Sequence, residues 1–121
     1  MEGVRVLVVE DEPDLLETAT FLLRVEGFDV TPVSSRSEAH AAMAAAPFDV
    51  VIADSALRGG NGDDVAAAAH RSGFRVILTS GHPDRIIKLE NGPFPFIAKP
   101  YTANELIALI KAVLRKPDPR A

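Results

Sequence analysis

Val6-Leu7-Val8-Val9-Glu10-Asp11-Glu12-Pro13 decides the reading of the fold: four apolar residues without alternation, then three acids, then a proline. A continuous β-branched run of this kind suits a strand buried on both faces of a parallel sheet. Pro13 suits the first turn of a helix. Leu15, Leu16, Ala19, Leu22 and Leu23 follow at helical spacing, and Gly27 offers the C-terminal stop. The unit is strand, acidic turn, helix.

The same alternation continues to the end of the chain. Phe28 to Val33 reads as a second strand, and Ser35 with Glu38 as a capping box opening an Ala-rich helix that Pro47 ends. Asp49 to Asp54 gives a third strand. Gly59-Gly60-Asn61-Gly62 lacks the Lys-Ser/Thr ending of a nucleotide P-loop and reads as a flexible turn before a helix over Asp63 to His70, stopped at Gly73. Arg75 to Thr79 is a fourth strand, Pro83 to Glu90 a short helix, and Phe94 to Ala98 a fifth strand that Pro95 assigns to an edge or a late start. Thr102 with Glu105 forms a second capping box. Leu106, Ile107, Leu109, Ile110, Val113 and Leu114 then give the last helix a broad apolar face. Five strands alternating with five helices predict an α/β fold, a five-stranded parallel sheet of flavodoxin-like order 2-1-3-4-5 with helices on both faces.

A chain of 121 residues fits one domain, expected over residues 1–116, with 117–121, including Pro117 and Pro119, as a tail or the start of a linker. A second activity is expected to belong to a partner or to chain outside this sequence, and the Met1 start suits a stand-alone chain. With 47% hydrophobic and 25% charged residues the composition is that of a globular protein and not of a disordered one. The absence of Cys excludes a disulfide framework and any thiolate metal site, so a metal would take oxygen or nitrogen ligands. The net charge of −4 and the scattered basic residues argue against direct nucleic-acid binding and against anionic membranes. No apolar stretch approaches the ~20 residues of a membrane span. A cytoplasmic protein is expected.

In a parallel sheet the C-terminal ends of the strands open on one rim, where ligands bind. Here that rim collects Glu10, Asp11 and Glu12 after the first strand, Asp54 after the third, Thr79 and Ser80 after the fourth, and Lys99-Pro100 after the fifth. Carboxylates on neighbouring strands repel unless a cation lies between them. Mg²⁺, a hard ion that takes one or two carboxylates, waters and phosphate, answers that repulsion. A hydroxyl and an ammonium supply donors for phosphate oxygens. The set suits phosphoryl transfer onto a carboxylate.

In this combination the chain resembles the response-regulator receiver domains of two-component signalling, from Val4 to about Leu114. The motifs are Val8-Val9-Glu10-Asp11-Glu12-Pro13, Asp54 after an apolar strand, Thr79-Ser80-Gly81-His82, and Lys99-Pro100-Tyr101. The resemblance implies a phosphoacceptor and not an enzyme: a sensor histidine kinase or histidine phosphotransfer protein donates a phosphoryl group to Asp54 with Mg²⁺, and a downstream protein effector reads the change. By position, Asp11, Asp54, Glu10 and the backbone carbonyl of Ala56 surround the metal, with Asp11 binding it directly and Glu10 near it or acting through water. Ser80 is the switch hydroxyl, Lys99 the phosphate-binding lysine and Phe96 the aromatic that changes rotamer. Ala56 and His82 tune slow self-dephosphorylation. Arg58 stands where many relatives carry proline, the segments flanking Ser80 are short for the family, and Phe96 lacks a hydroxyl. The short connection before Phe94-Pro95-Phe96 is also similar to receivers attached to hybrid sensor kinases.

Other readings remain open at this point. A haloacid-dehalogenase-type aspartyl-phosphate phosphatase needs a second acid two residues beyond its nucleophile, where this chain has Ala56. A receiver-shaped interaction module needs no phosphate at all. Taken singly, the acids could form a solvated turn, Asp54 a helix cap, Lys99 a surface lysine, Ser80-Gly81 an ordinary turn with Thr79 as the hydroxyl instead, and Phe96 a core aromatic. His40, His70 and His82 have no metal-ligand spacing and read as surface residues.

Overall fold

The computed structural model describes residues 2–57 and 62–116. Arg58, Gly59, Gly60 and Asn61 of the expected flexible turn, and the expected tail 117–121, lie outside the described residues. The elements run β1 (Arg5–Val9), α1 (Pro13–Val25), β2 (Asp29–Val33), α2 (Arg36–Ala45), β3 (Val50–Asp54), α3 (Asp63–Arg71), β4 (Arg75–Ser80), α4 (Pro83–Glu90), β5 (Phe96–Ala98) and α5 (Ala103–Arg115). All strand pairs are parallel, in the order β2-β1-β3-β4-β5. The expected architecture is the observed one.

Strand alternation divides the core into two layers. Val6, Val8, Val50, Ile52 and Ile77 pack with Ala19 and Leu23 of α1 and with Leu106, Ile110 and Val113 of α5. Leu7, Val9, Val51, Ala53, Val76 and Leu78 pack with Ala39 of α2 and with Val65, Ala66 and Ala69 of α3. Small residues on α3, Ala66 and Ala69, let that helix lie close to the sheet. β1 and β3 are central and buried on both faces, as their unbroken apolar runs require.

The edges behave as their prolines demand. Pro32 sits in edge strand β2, and β5 starts only at Phe96, although the Pro95 carbonyl already accepts from the Leu78 N–H at 3.0 Å. Gly27, at φ 97°, ends α1 in the left-handed region, where the Gly27 and Phe28 N–H groups donate to the Arg24 and Leu23 carbonyls. Thr102 and Glu105 form the full reciprocal capping box at α5. At α2 only half of the expected box exists. Ser35 Oγ accepts from the Glu38 N–H, but the Glu38 carboxylate turns to the Ser34 and Ser35 hydroxyls and the Ser34 N–H instead of the Ser35 N–H. Two neighbouring hydroxyls outcompete one amide. At the opposite end of the sheet Arg75 donates to the Val113 and Lys116 carbonyls, satisfying acceptors that the end of α5 leaves open. Among the described residues no helix is long and apolar enough to cross a membrane.

Candidate functional site

The sheet register builds the site. Val9 is paired with Ala53, so the next residues of the two strands, Glu10 and Asp54, leave side by side. Asp54 is paired with Thr79, and Ser80 with Ala98, so Lys99 leaves β5 at the same level. The Lys99 N–H donates to the Ser80 carbonyl at 2.8 Å, which fixes where its side chain starts. The Lys99–Pro100 peptide bond is cis.

From there Lys99 Nζ donates to Glu10 Oε1 at 2.6 Å and to Asp54 Oδ2 at 2.7 Å. Both carboxylates are buried. Asp54 Oδ1 accepts from the Ala56 N–H at 2.9 Å, and Glu10 Oε2 from the Glu12 N–H at 3.3 Å. Burial pushes the Glu10 carboxyl above its ordinary range, and the Asp54 charge adds to that, with the Lys99 ammonium pulling the other way. For Lys99 burial works against the charge, but the hydrogen bonds and fields of Asp54 and Glu10 outweigh it and hold the ammonium above its ordinary value. Lys99 is therefore a firmly charged bridge between two acids.

Asp11 completes a cluster in which one carboxylate oxygen each from Glu10, Asp11 and Asp54 lies within 4.8 Å of the others. A cavity of about 260 Å³ opens on this cluster, walled by Asp11, Glu12, Asp54, Ala56, Gly81, His82 and Lys99. Ser80 is fully buried, and its Oγ accepts from the His82 N–H at 3.2 Å. Thr79, one residue earlier, is buried as well, and strand alternation sends the two hydroxyls to opposite faces. Phe96 is half-buried and packs on the α2/α3 layer. All three histidines are exposed, and His82 alone of them lines this cavity.

The structure thus brings Glu10, Asp11, Asp54, Ala56, His82 and Lys99 together, and holds Ser80 buried at the end of β4, bonded to His82. Three features escaped the sequence reading. The repulsion between acids that pointed to a metal is met in part by Lys99 itself. Ala56 contributes its N–H to Asp54, where only its carbonyl was expected to act. Gly62 is a close-approach position: a Cβ there would lie 2.3 Å from the Asp54 carbonyl oxygen, and its N–H donates to the Ser55 carbonyl at 3.0 Å. The run of glycines that signalled flexibility also signalled this contact.

Known proteins carry the same pattern. Residues 6–111 match the family described as response regulator receiver domain. The sensory transduction protein RegX3 of Mycobacterium bovis is 42% identical over 115 residues, covering 92% of this chain and 51% of RegX3. The DNA-binding response regulator MtrA of Mycolicibacterium smegmatis is 35% identical over 116 residues, covering 93% of this chain and 51% of MtrA. The chain spans about half the length of these curated relatives. The response regulator TrrA of Thermotoga maritima, solved in complex with Mg²⁺-BeF, superposes with a TM-score of 0.81 at 25% identity, covering 91% of this chain and 98% of TrrA. With its acid-lined rim and its sheet order, the chain belongs to the response-regulator receiver domains of two-component signalling.

Proposed function

We propose that the chain accepts a phosphoryl group on Asp54 from a phosphohistidine donor and that the product alters the binding of a protein effector. The observation that carries this reading is Asp54 itself, with Lys99 Nζ at 2.7 Å on one oxygen and the Ala56 N–H at 2.9 Å on the other, at the floor of an open cavity. An Asp54 oxygen attacks the phosphorus, an O–P bond forms, and the N–P bond electrons return to the donor imidazole. The product is an acyl phosphate. Lys99 then exchanges a carboxylate partner for phosphoryl oxygens, a stronger charge-assisted contact because the new group carries more charge.

The residues present fit Mg²⁺: their donors are all hard oxygens, they converge, and the cavity leaves room for the waters the ion keeps. Asp11 and Asp54 would hold it, with Glu10 beside them and the Ala56 carbonyl as a further oxygen. When bound, the ion supplies positive charge for the entering phosphoryl oxygens. The Mg²⁺-BeF complex of TrrA supports this reading. Ser80 would engage the phosphoryl group by leaving its contact with His82, and Phe96 would follow by repacking. An apolar cleft of about 370 Å³, lined by Leu15, Leu22, Pro100 and Tyr101, opens beside Lys99 and suits a helical donor protein such as a histidine kinase or phosphotransfer domain. The second acid of a dehalogenase-type phosphatase is missing from its place two residues beyond the nucleophile, because Ala56 offers only its backbone.

Intact mass after incubation with acetyl phosphate and Mg²⁺ tests the proposal. Wild type should gain the mass of one phosphoryl group and Asp54→Asn should not. An unlabelled wild type, or equal labelling of both, would overturn it and leave a phosphate-independent interaction module.

A further inference from the structure

The peptide unit between Ser55 and Ala56, next to the acceptor, is held at both ends. Its N–H, on Ala56, donates to Asp54 Oδ1 at 2.9 Å. Its carbonyl, on Ser55, accepts from the Gly62 N–H and from Arg85 Nη1, each at 3.0 Å. The unit is trans and planar, so the two groups point in opposite directions and turn together. Whatever grips the Ser55 carbonyl therefore aims the N–H that fixes the Asp54 carboxylate. Ser55 itself is 1% exposed, and its N–H donates to the Thr79 carbonyl at 2.9 Å, which ties the start of the unit to β4.

The two donors on that carbonyl differ in kind. Gly62 is the N-cap of α3 and belongs to the acceptor loop. Arg85 is half-buried in the first turn of α4 and reaches the loop from a separate element. Its guanidinium is permanently charged, and a charge-assisted bond at a carbonyl polarises the amide and strengthens the N–H at its far end as a donor. The turn that presents Arg85 is anchored in its own right. The Arg85 and Ile86 N–H groups donate to the His82 carbonyl, each at 3.0 Å, and the His82 N–H donates to Ser80 Oγ at 3.2 Å.

We propose that Arg85 is a positioning residue for phosphoryl acceptance: by holding the Ser55 carbonyl it keeps the Ala56 N–H on Asp54 Oδ1 and so fixes the carboxylate for attack. The inference rests on Asp54 being the acceptor. Arg85 acts through one peptide plane and not on the carboxylate itself. Its removal leaves Gly62 on the carbonyl, so no buried acceptor is orphaned and the fold should survive.

Arg85→Met keeps an apolar stem and removes the charge and the donors, whereas Arg85→Lys keeps the charge. Labelling of the full chain by acetyl phosphate with Mg²⁺ is timed by intact mass, and the Ala56 amide proton is followed by nuclear magnetic resonance on the unphosphorylated protein. In Arg85→Met the label should appear roughly three- to tenfold more slowly, the worth of one hydrogen bond of ordinary net strength. The Ala56 amide proton should move upfield as its bond to Asp54 weakens. Arg85→Lys should recover part of both effects. If Arg85→Met does not fold, Arg85→Gln takes its place with the same expectations. A merely structural role would lower the melting temperature and leave the Ala56 resonance where it is. The proposal is overturned by an unmoved Ala56 resonance, by an unchanged labelling rate, or by labelling of Arg85→Lys no faster than that of the uncharged variant. Wild type that takes no label overturns the reading of Asp54 as acceptor, and this inference with it.

Discussion

Lys99 holds two buried acids together, and its removal should expose how much they repel. Lys99→Ala leaves Glu10 and Asp54 adjacent with no ammonium, an uncompensated arrangement expected to cost on the order of 3 kcal/mol in urea unfolding at neutral pH. Glu10 is already pushed up by burial, so the loss should shrink as pH falls and that carboxyl takes up a proton. The same variant should still accept some phosphoryl label yet show little change in effector affinity, since the contact it lacks forms after transfer; full switching would contradict the role given to Lys99. His82, exposed at the cavity mouth, should shield the acyl phosphate from water by its bulk. His82→Ala is therefore expected to release phosphate faster, and an unchanged or slower release would refute the shielding. The sequence showed that these residues share a rim. It did not show that Lys99 reaches both acids, because that depends on where β5 starts relative to β4, and Pro95 obscured the start.

Between elements, one surface cluster joins α2 to α3. Arg36 donates from Nε to both Asp64 oxygens, at 3.1 and 3.0 Å, and from Nη2 to one of them, and His40 Nε2 lies 3.4 Å from the same carboxylate. The Arg36 hydrogen bonds lead in pulling the Asp64 carboxyl down to about 2 from 3.8. A depressed carboxyl stabilises the fold above its unfolded value and loses that contribution as pH falls through the folded one. The advantage of wild type over Asp64→Asn should therefore be present at neutral pH and vanish between 3.8 and about 2. The carboxylate is 40% exposed, so solvent and salt screening hold the effect to at most ~1 kcal/mol, and added salt should reduce it. Gly62→Ala is a harsher change: its Cβ collides with backbone and cannot be accommodated by a rotamer, so a loss of about 1–3 kcal/mol and slower phosphoryl acceptance are expected. The sequence marked every helix here, including α4 over Pro83–Glu90 and α3 one residue longer than read. It could not pair Arg36 with Asp64, which lie 28 residues apart and meet only once two crossovers have folded.

At the scale of the molecule, Mg²⁺ should raise the melting temperature by mass action, because the acids converge only in the folded state. Asp11→Ala should show a smaller Mg²⁺-dependent shift than wild type, and equal shifts would remove Asp11 from the metal site. The fold was legible because Val6–Val9 and Val50–Ala53 need cover on both sides, which a parallel sheet with two helical layers provides. The buried Ser55 hydroxyl was not, since a serine after an aspartate reads as a turn residue until its hydroxyl is seen to have no partner among the described residues. The late start of β5 has one further consequence. Three residues hold this edge to β4, while β1 and β3 are locked between neighbours on either side. Amide protons of Val6–Val9 and Val50–Ala53 should persist longest in heavy water, and those of Phe96–Ala98 should be replaced first among the strands. The molecule would then keep two clocks, a slow one in the strands that carry Glu10 and Asp54 and a faster one in the strand that delivers Lys99.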